Sequence, residues 1–148
     1  MAQSETSAIR RILDANLNRA GEGLRFLEEL ARLMLNDAAL TQNLKNRRHE
    51  ILRCDWQLQQ EMLQARDSSG DVGVEMETPE QKEPRDLPAA AVANARRVQE
   101  SLRVLEELAK LPSMKTRLDS DKFKRARFAL YTLEQELVSR LTAAGGER

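Results

Sequence analysis

The chain has 148 residues, with 24 basic and 24 acidic side chains and a formal net charge of zero. That length suits one domain with a modest core, and the balanced charge argues against a general nucleic-acid coat. Aromatic residues make up 3% of the chain, so aliphatic side chains must fill the interior, which favours packed helices over a sheet sandwich.

Taken in chain order, Thr6 or Ser7 offers a cap for a first helix. Leu13, Leu17, Ala20, Leu24, Leu27, Ala31 and Met34 then fall at three-and-four spacing, which predicts one apolar stripe running to about Leu35. Asn36-Asp37 supplies a turn and a second cap. A second helix is predicted over 38–63, with Leu40, Leu44, Ile51, Leu52, Trp56, Leu58 and Met62 as its apolar contacts. Residues 66–86 break the pattern. Ser68-Ser69-Gly70-Asp71-Val72-Gly73, Pro79 and Pro84 argue against a continuous helix, and a connection of this length is often functional. A third helix opens near Asp86-Leu87-Pro88, carries Ala91, Ala95, Val98, Leu102, Leu105 and Ala109, and is expected to stop at Pro112. Asp119-Ser120-Asp121 can cap a fourth helix bearing Phe123, Phe128, Leu130, Tyr131, Leu133 and Leu137, with a frayed tail from Ala143.

The third helix repeats the first. Residues 15–33 return as 93–111, and 12 of the 19 positions are identical. The expected architecture is therefore all-α: one helical domain over 1–148, with duplicated helical hairpins at about 8–63 and 87–142 forming a four-helix bundle. A long loop, 66–86, lies between the halves as a candidate active-site segment. A homodimer is plausible on such long helices. Cys54 is the only cysteine, which excludes an intramolecular disulfide and fits a reducing compartment. No run is long and apolar enough to span a membrane, and Met1–Ser7 lacks the pattern of a secretory signal, so a cytoplasmic location is expected.

Polar residues repeat along with the core. Beside the stripe of helix one runs the row Ile12, Asn16, Arg19, Gly23, Phe26, Leu30 and Leu33. Its counterpart is Asn94, Arg97, Ser101, Val104, Leu108 and Leu111. Small Gly23 and Ser101 suggest room beside each helix. The Asn–Arg pairs read either as partnered core residues that fix register or as an anion pocket, since a guanidinium fork suits phosphate. Glu22, Arg25 and Glu29, with Glu100, Arg103 and Glu107, read as helical salt bridges or as weak magnesium ligands. Arg48-His49 and Arg127-Phe128 occupy comparable places. Gly70 and Gly73 permit phosphate-facing turns, although the segment is neither a Walker A motif nor a kinase glycine-rich loop. Lys122, Lys124, Arg125 and Arg127 make a short basic patch without a base-recognition motif, so no nucleic-acid partner is expected.

Several pieces, in order, resemble a known family. They are 14–20 (DANLNRA), Glu22-Gly23-Leu24-Arg25, Arg48-His49, Ala65-Arg66-Asp67, 70–73 (GDVG), Glu80, Arg85, Arg97, 100–107 (ESLRVLEE) and the Tyr131 region, covering about 9–138. This pattern is similar to the small all-helical hydroxymethylpyrimidine-phosphate kinases of thiamine biosynthesis, a module often fused in front of thiamine-phosphate synthase. The resemblance implies ATP-dependent phosphorylation of 4-amino-5-hydroxymethyl-2-methylpyrimidine phosphate to its diphosphate, with ATP and Mg²⁺ as cofactors. It further implies catalytic roles for Asp71, Arg66 and Arg48. Substrate or phosphate contacts would come from Asn16, Arg19, His49, Arg85, Asn94, Arg97 and Arg103. Metal ligation would come from Asp71, Asp67, Glu22 or Glu100. The acceptor oxygen is already ionised, so Asp71 would position and not abstract a proton. The chain is expected to be either a standalone kinase or one domain of a fusion, working with thiamine-phosphate synthase. The alternative is a non-catalytic nucleotide-, phosphate- or partner-binding module associated with that synthase.

Overall fold

A computed structural model describes residues 2–67, 70–73, 76 and 83–146. Ser68, Ser69, Pro79 and Glu80, named above, lie outside the described residues. Five α-helices are present among those described, and no strand: α1 (Ala2–Glu29), α2 (Ala38–Leu52), α3 (Trp56–Ala65), α4 (Leu87–Leu108) and α5 (Ser120–Gly146). A π-helical turn, Leu30–Met34, closes α1.

α1 packs against α2, α3 and α4; α4 packs against α1 and α5; and α2 meets α5 to close the bundle. Within each hairpin the order of contacts shows antiparallel packing. Arg48 meets Glu28 while Leu52 meets Gly21. Likewise Arg127 meets Glu106 while Gln99 meets Glu134. The predicted stripes supply the core: Leu13, Leu17, Ala20, Leu24 and Leu27 of α1 face Ala91, Ala95, Val98, Leu102 and Leu105 of α4, all buried. Each fully buried leucine contributes about 1.5–3 kcal/mol relative to exposure.

Four boundaries differ from the sequence reading. α1 begins at Ala2 and not after Thr6 or Ser7, because nothing upstream of those residues breaks a helix. The second helix is not continuous over 38–63. It stops at Leu52, Arg53 turns extended, and the Asp55 carboxylate accepts from the Leu58 amide at 2.7 Å to start α3. A short acidic side chain that bonds the backbone competes with helix propagation and wins here. α4 ends at Leu108, four residues ahead of Pro112. The turns that follow bury Met114 and Leu118 in the core. The final helix continues through Gly146, past the expected fraying point.

The other caps follow their sequence signals. Asp37 accepts from Leu40 N at 3.0 Å and Asp86 from Ala89 N at 2.9 Å. Asn36 takes φ 52°, the left-handed conformation that asparagine tolerates at a helix exit. Arg140 of α5 reaches the Asp37 carboxylate, fastening the bundle beside that turn.

Four side chains expected in the core are exposed: Met34, Trp56, Phe128 and Tyr131. The expected room at Gly23 is absent as well. A Cβ there would lie 2.5 Å from Val98 Cγ2 and 3.3 Å from the Asn94 carbonyl oxygen. Gly23 therefore marks the close approach of α1 and α4, not a widened pocket.

Candidate functional site

The break at Arg53–Asp55 positions the site. It frees α3 to pack Leu58 and Met62 against α1, so that the chain leaves α3 at Arg66 beside the N-terminal half of α1. There the Arg66 guanidinium donates to both oxygens of Asp14, Nε to Oδ2 at 2.7 Å and Nη2 to Oδ1 at 3.1 Å. This bond, then the nearby Asp14 charge, holds the Arg66 pKa above its ordinary value. Arg11 Nη2 donates to the Asp67 carbonyl at 3.3 Å. Two contacts thus pin the start of the 66–73 segment to α1.

The segment is shaped by its own carboxylates. Asp67 Oδ1 accepts from Gly70 N at 3.0 Å, and Asp71 Oδ1 accepts from Gly73 N at 2.8 Å. Both are short turns in which an aspartate stands in for a backbone acceptor. Between segment and helix lies a cleft of about 580 Å³. Its lining includes Arg11, Asp14, Asn16, Asn18, Arg19, Arg66, Asp67 and Asp71. Ala8 and Ala15 keep its floor open. Asn16 is buried, and its amide donates to the Ile12 carbonyl at 2.8 Å, which fixes the side chain at the cleft base.

The structure thus brings Asn16, Arg19, Arg66, Asp67 and Asp71 together. It does not bring the other candidates to them. Arg48 lies in the bundle, where Nε and Nη2 each donate to Glu28 Oε1 at 3.2 Å; Glu28 is buried. Asn94 repeats the bond of Asn16, donating to Ala90 O at 2.9 Å, without lining the cleft. His49, Arg85, Arg97 and Glu22 are exposed and outside the cleft lining. Arg103 and Glu100 line a separate groove on α4 and α5. Among the described residues no three His, Cys, Asp or Glu side chains cluster for a metal ion. Asp67 and Asp71 would suit Mg²⁺ only in the way that ion often binds, through one or two carboxylates plus ligand phosphates.

The sequence reading leaves Arg11, Asp14 and Asn18 unassigned. Their signal is a polar row at i, i+3 and i+7 on the flank of α1 next to Asn16 and Arg19. It also leaves Glu28 and Glu106 unassigned. Both occupy the phase of the apolar stripe, four residues after Leu24 and Leu102, where a carboxylate must find a buried cation.

The fold and cleft define an all-helical bundle protein whose first helix carries a cleft lined by three arginines, three aspartates and two asparagine amides. The chain belongs to the ThiD2 family, whose profile matches residues 11–136. Its similarity to thiamine-phosphate synthases is substantial. It is 45% identical to that of Rhodopirellula baltica over 112 residues, which is 74% of this chain and 30% of the relative. It is 42% identical to that of Nostoc punctiforme over 132 residues (88% of this chain, 35% of the relative). The figure for Thermosynechococcus vestitus is 41% over 135 residues (91% and 37%). The chain spans about a third of the length of these relatives. No solved structure matches it.

Family and relatives connect the chain with thiamine biosynthesis. They also correct the expected enzyme. Relatives at 40–45% identity are named thiamine-phosphate synthase, a different enzyme from a phosphomethylpyrimidine kinase. No helix among the described residues is long and apolar enough to cross a membrane.

Proposed function

We propose that the chain is an organic-phosphate-binding module that serves thiamine-phosphate formation, and that it holds a phosphorylated pyrimidine precursor in the α1 cleft. The observation that carries this reading is the convergence of Arg11, Arg19 and Arg66 with the Asn16 and Asn18 amides on one concave surface. Three guanidinium groups supply charge and directed donors for a phosphate dianion. The amides and the Asp67 and Asp71 carboxylates supply complementary groups for a ring amine or, through Mg²⁺, for further phosphate oxygens.

Asp14 gives this cleft its selectivity. It orients Arg66 and offsets part of its charge, so a weakly charged ligand gains little by entering. A phosphate monoester gains more, because it can share Arg66 with Asp14 while engaging Arg19. The relatives are about two and a half times as long as this chain, so a functional association with the synthase activity belongs to the same proposal.

The test is calorimetric titration with hydroxymethylpyrimidine phosphate, the free alcohol and ATP–Mg²⁺, with product detection by mass. Binding of the phosphate but not the alcohol, weakened at least tenfold by Arg19→Ala, supports the module. Absence of binding, or no change in Arg19→Ala, overturns it. Formation of the pyrimidine diphosphate and ADP would replace holding by phosphoryl transfer.

A further inference from the structure

The helix that delivers Arg66 to the α1 cleft is short. α3 has ten residues, of which Leu58 and Met62 are buried. A helix of this length does not hold its place by its own hydrogen bonds, and apolar contacts are not directional. Directed contacts supply what the apolar ones lack. Glu61 Oε2 accepts from Arg117 Nη1 at 2.6 Å and lies 3.5 Å from Arg10 Nη2 of α1. Arg117 Nη2 lies 3.7 Å from Oδ1 of Asp55, the carboxylate that caps α3. One guanidinium therefore reaches both the start and the middle of the helix. Lys122 of α5 adds a bond to the Arg53 carbonyl at 3.0 Å, just ahead of the cap.

The cluster has a firm base. Arg117 lies in the turns between α4 and α5, where its amide donates to the Met114 carbonyl at 2.9 Å, and both Met114 and Leu118 are buried. The side chains of Glu61, Arg117 and Arg10 are 19%, 25% and 30% exposed, so solvent screens them less than an open surface pair. Arg10 buries its Nε without a hydrogen-bond partner among the described residues, so its place in the cluster depends on the attraction of Glu61. Arg10 also stands one helical turn ahead of Asp14, the partner of Arg66. α1 thus offers a cation and then an anion, and α3 an anion and then a cation. The exchanged pairing, Glu61 with Asp14 and Arg66 with Arg10, would oppose like charges.

We infer that Glu61 and Arg117 are positioning residues for the α1 cleft: their ion pair, joined by Arg10, fixes where α3 sits on α1 and so holds Arg66 over Asp14. Neither residue lines the cleft. The connection between α4 and α5, in the other half of the molecule, sets the geometry of a site built on the first half. The effect on affinity rests on the reading of the cleft as a phosphate-ester site; the effect on Arg66 does not.

The experiment follows the Arg66 Nε–H by two-dimensional NMR of the intact chain, beside calorimetric titration with hydroxymethylpyrimidine phosphate. Glu61→Gln and Arg117→Met should each speed exchange of that proton with water at least fivefold. Arg117→Lys, which keeps the charge, should bring it back to within twofold of the wild type. Val98→Ala, which loosens the core between α1 and α4, should leave it within twofold as well. Affinity should fall at least threefold in Glu61→Gln, with no further fall when Arg66→Ala is already present. Unchanged Arg66 exchange in both variants overturns the inference, as does an affinity loss that persists in the Arg66→Ala background. Equal acceleration in Val98→Ala also overturns it, because lost stability alone would then explain the effect. If the wild type does not bind the phosphate, the reading of the cleft fails, and the exchange rates alone decide whether Glu61 and Arg117 position Arg66.

Discussion

The two hairpins share a sequence pattern and the same buried device, yet they end in different surfaces. In the first, Glu28 of α1 pairs with Arg48 of α2; in the second, Glu106 of α4 pairs with Arg127 of α5. Each carboxylate sits 78 residues from its counterpart, each arginine 79. Around that constant pair the neighbours diverge. In the first hairpin Leu52 packs its methyl groups against Gly21, while Gln99, Tyr131 and Glu134 line an open polar groove in the second. The repeated charge pair belongs to the frame, and the two surfaces differ where Gly21 and Leu52 of one hairpin stand against Gln99 and Tyr131 of the other.

The sharpest way to break this comparison is to remove one arginine from each pair. Glu28 is met by Arg48 alone among the described residues, whereas Glu106 also has Arg103 at 3.6 Å. Arg48→Met should therefore cost about 3–5 kcal/mol, the usual result of leaving a buried charge unpaired, and Arg127→Met distinctly less. Urea unfolding of the two variants measures the difference. Equal losses would show that Arg103 does not stand in.

Next in size is the helix crossing. Gly23→Ala improves helix propensity but drives a methyl group into Val98, so it should lose about 1–3 kcal/mol in thermal unfolding. Ser101→Ala, at the matching position of α4, should change stability by less than about 1 kcal/mol if its hydroxyl has no buried role. A cycle with Val98→Ala should show coupling for Gly23 that is absent for Ser101.

A third comparison uses pH. The Arg127 bond, with the Arg127 and Arg103 charges behind it, holds the Glu106 carboxyl below its ordinary range despite opposing burial. Its stabilising contribution is thus complete above the unfolded carboxylate value of about 4.3 and is lost as pH falls through the lower folded value. Between pH 5 and pH 3 the wild type should lose stability more steeply than Glu106→Gln. Parallel curves would remove Glu106 as a source of acid sensitivity.

The smallest stability effect is expected at the α1 cleft. The Asp14–Arg66 bond is half exposed, so Asp14→Asn should cost no more than about 1 kcal/mol. The same variant should lower affinity for hydroxymethylpyrimidine phosphate about tenfold, because Arg66 is then no longer held over the cleft. A large unfolding effect with unchanged binding would reverse that assignment.

Much of the frame is legible in the sequence because it rests on periodicity. The stripes from Leu13 to Ala31 and from Ala91 to Ala109 define the two central helices, and Asp37 and Asp86 mark the starts of α2 and α4. What periodicity cannot show is a break that keeps the apolar phase tolerable. Asp55 interrupts a run in which Ile51, Leu58 and Met62 still read as one buried face, and only the side-chain bond to Leu58 N reveals the stop. The candidate site is legible in part. Asn16, Arg19 and Arg66 stand out by type, but Asp14 looks like ordinary helix decoration until Arg66 is delivered to it from 52 residues away. Arg48 is ambiguous for the opposite reason, since a cation that suits phosphate equally suits a buried glutamate.

One feature bears on how the chain reaches this state. The Glu28–Arg48 and Glu106–Arg127 pairs close spans of only 20 and 21 residues. Their formation needs nothing from the opposite half of the molecule. Once the chain through Arg48 has left the ribosome, both members of the first pair are exposed. Early steps in folding are therefore short-range, and topologies dominated by short-range contacts fold fast. The slower event is docking α1 against α4, where Gly23 must meet Val98 across 75 residues of chain.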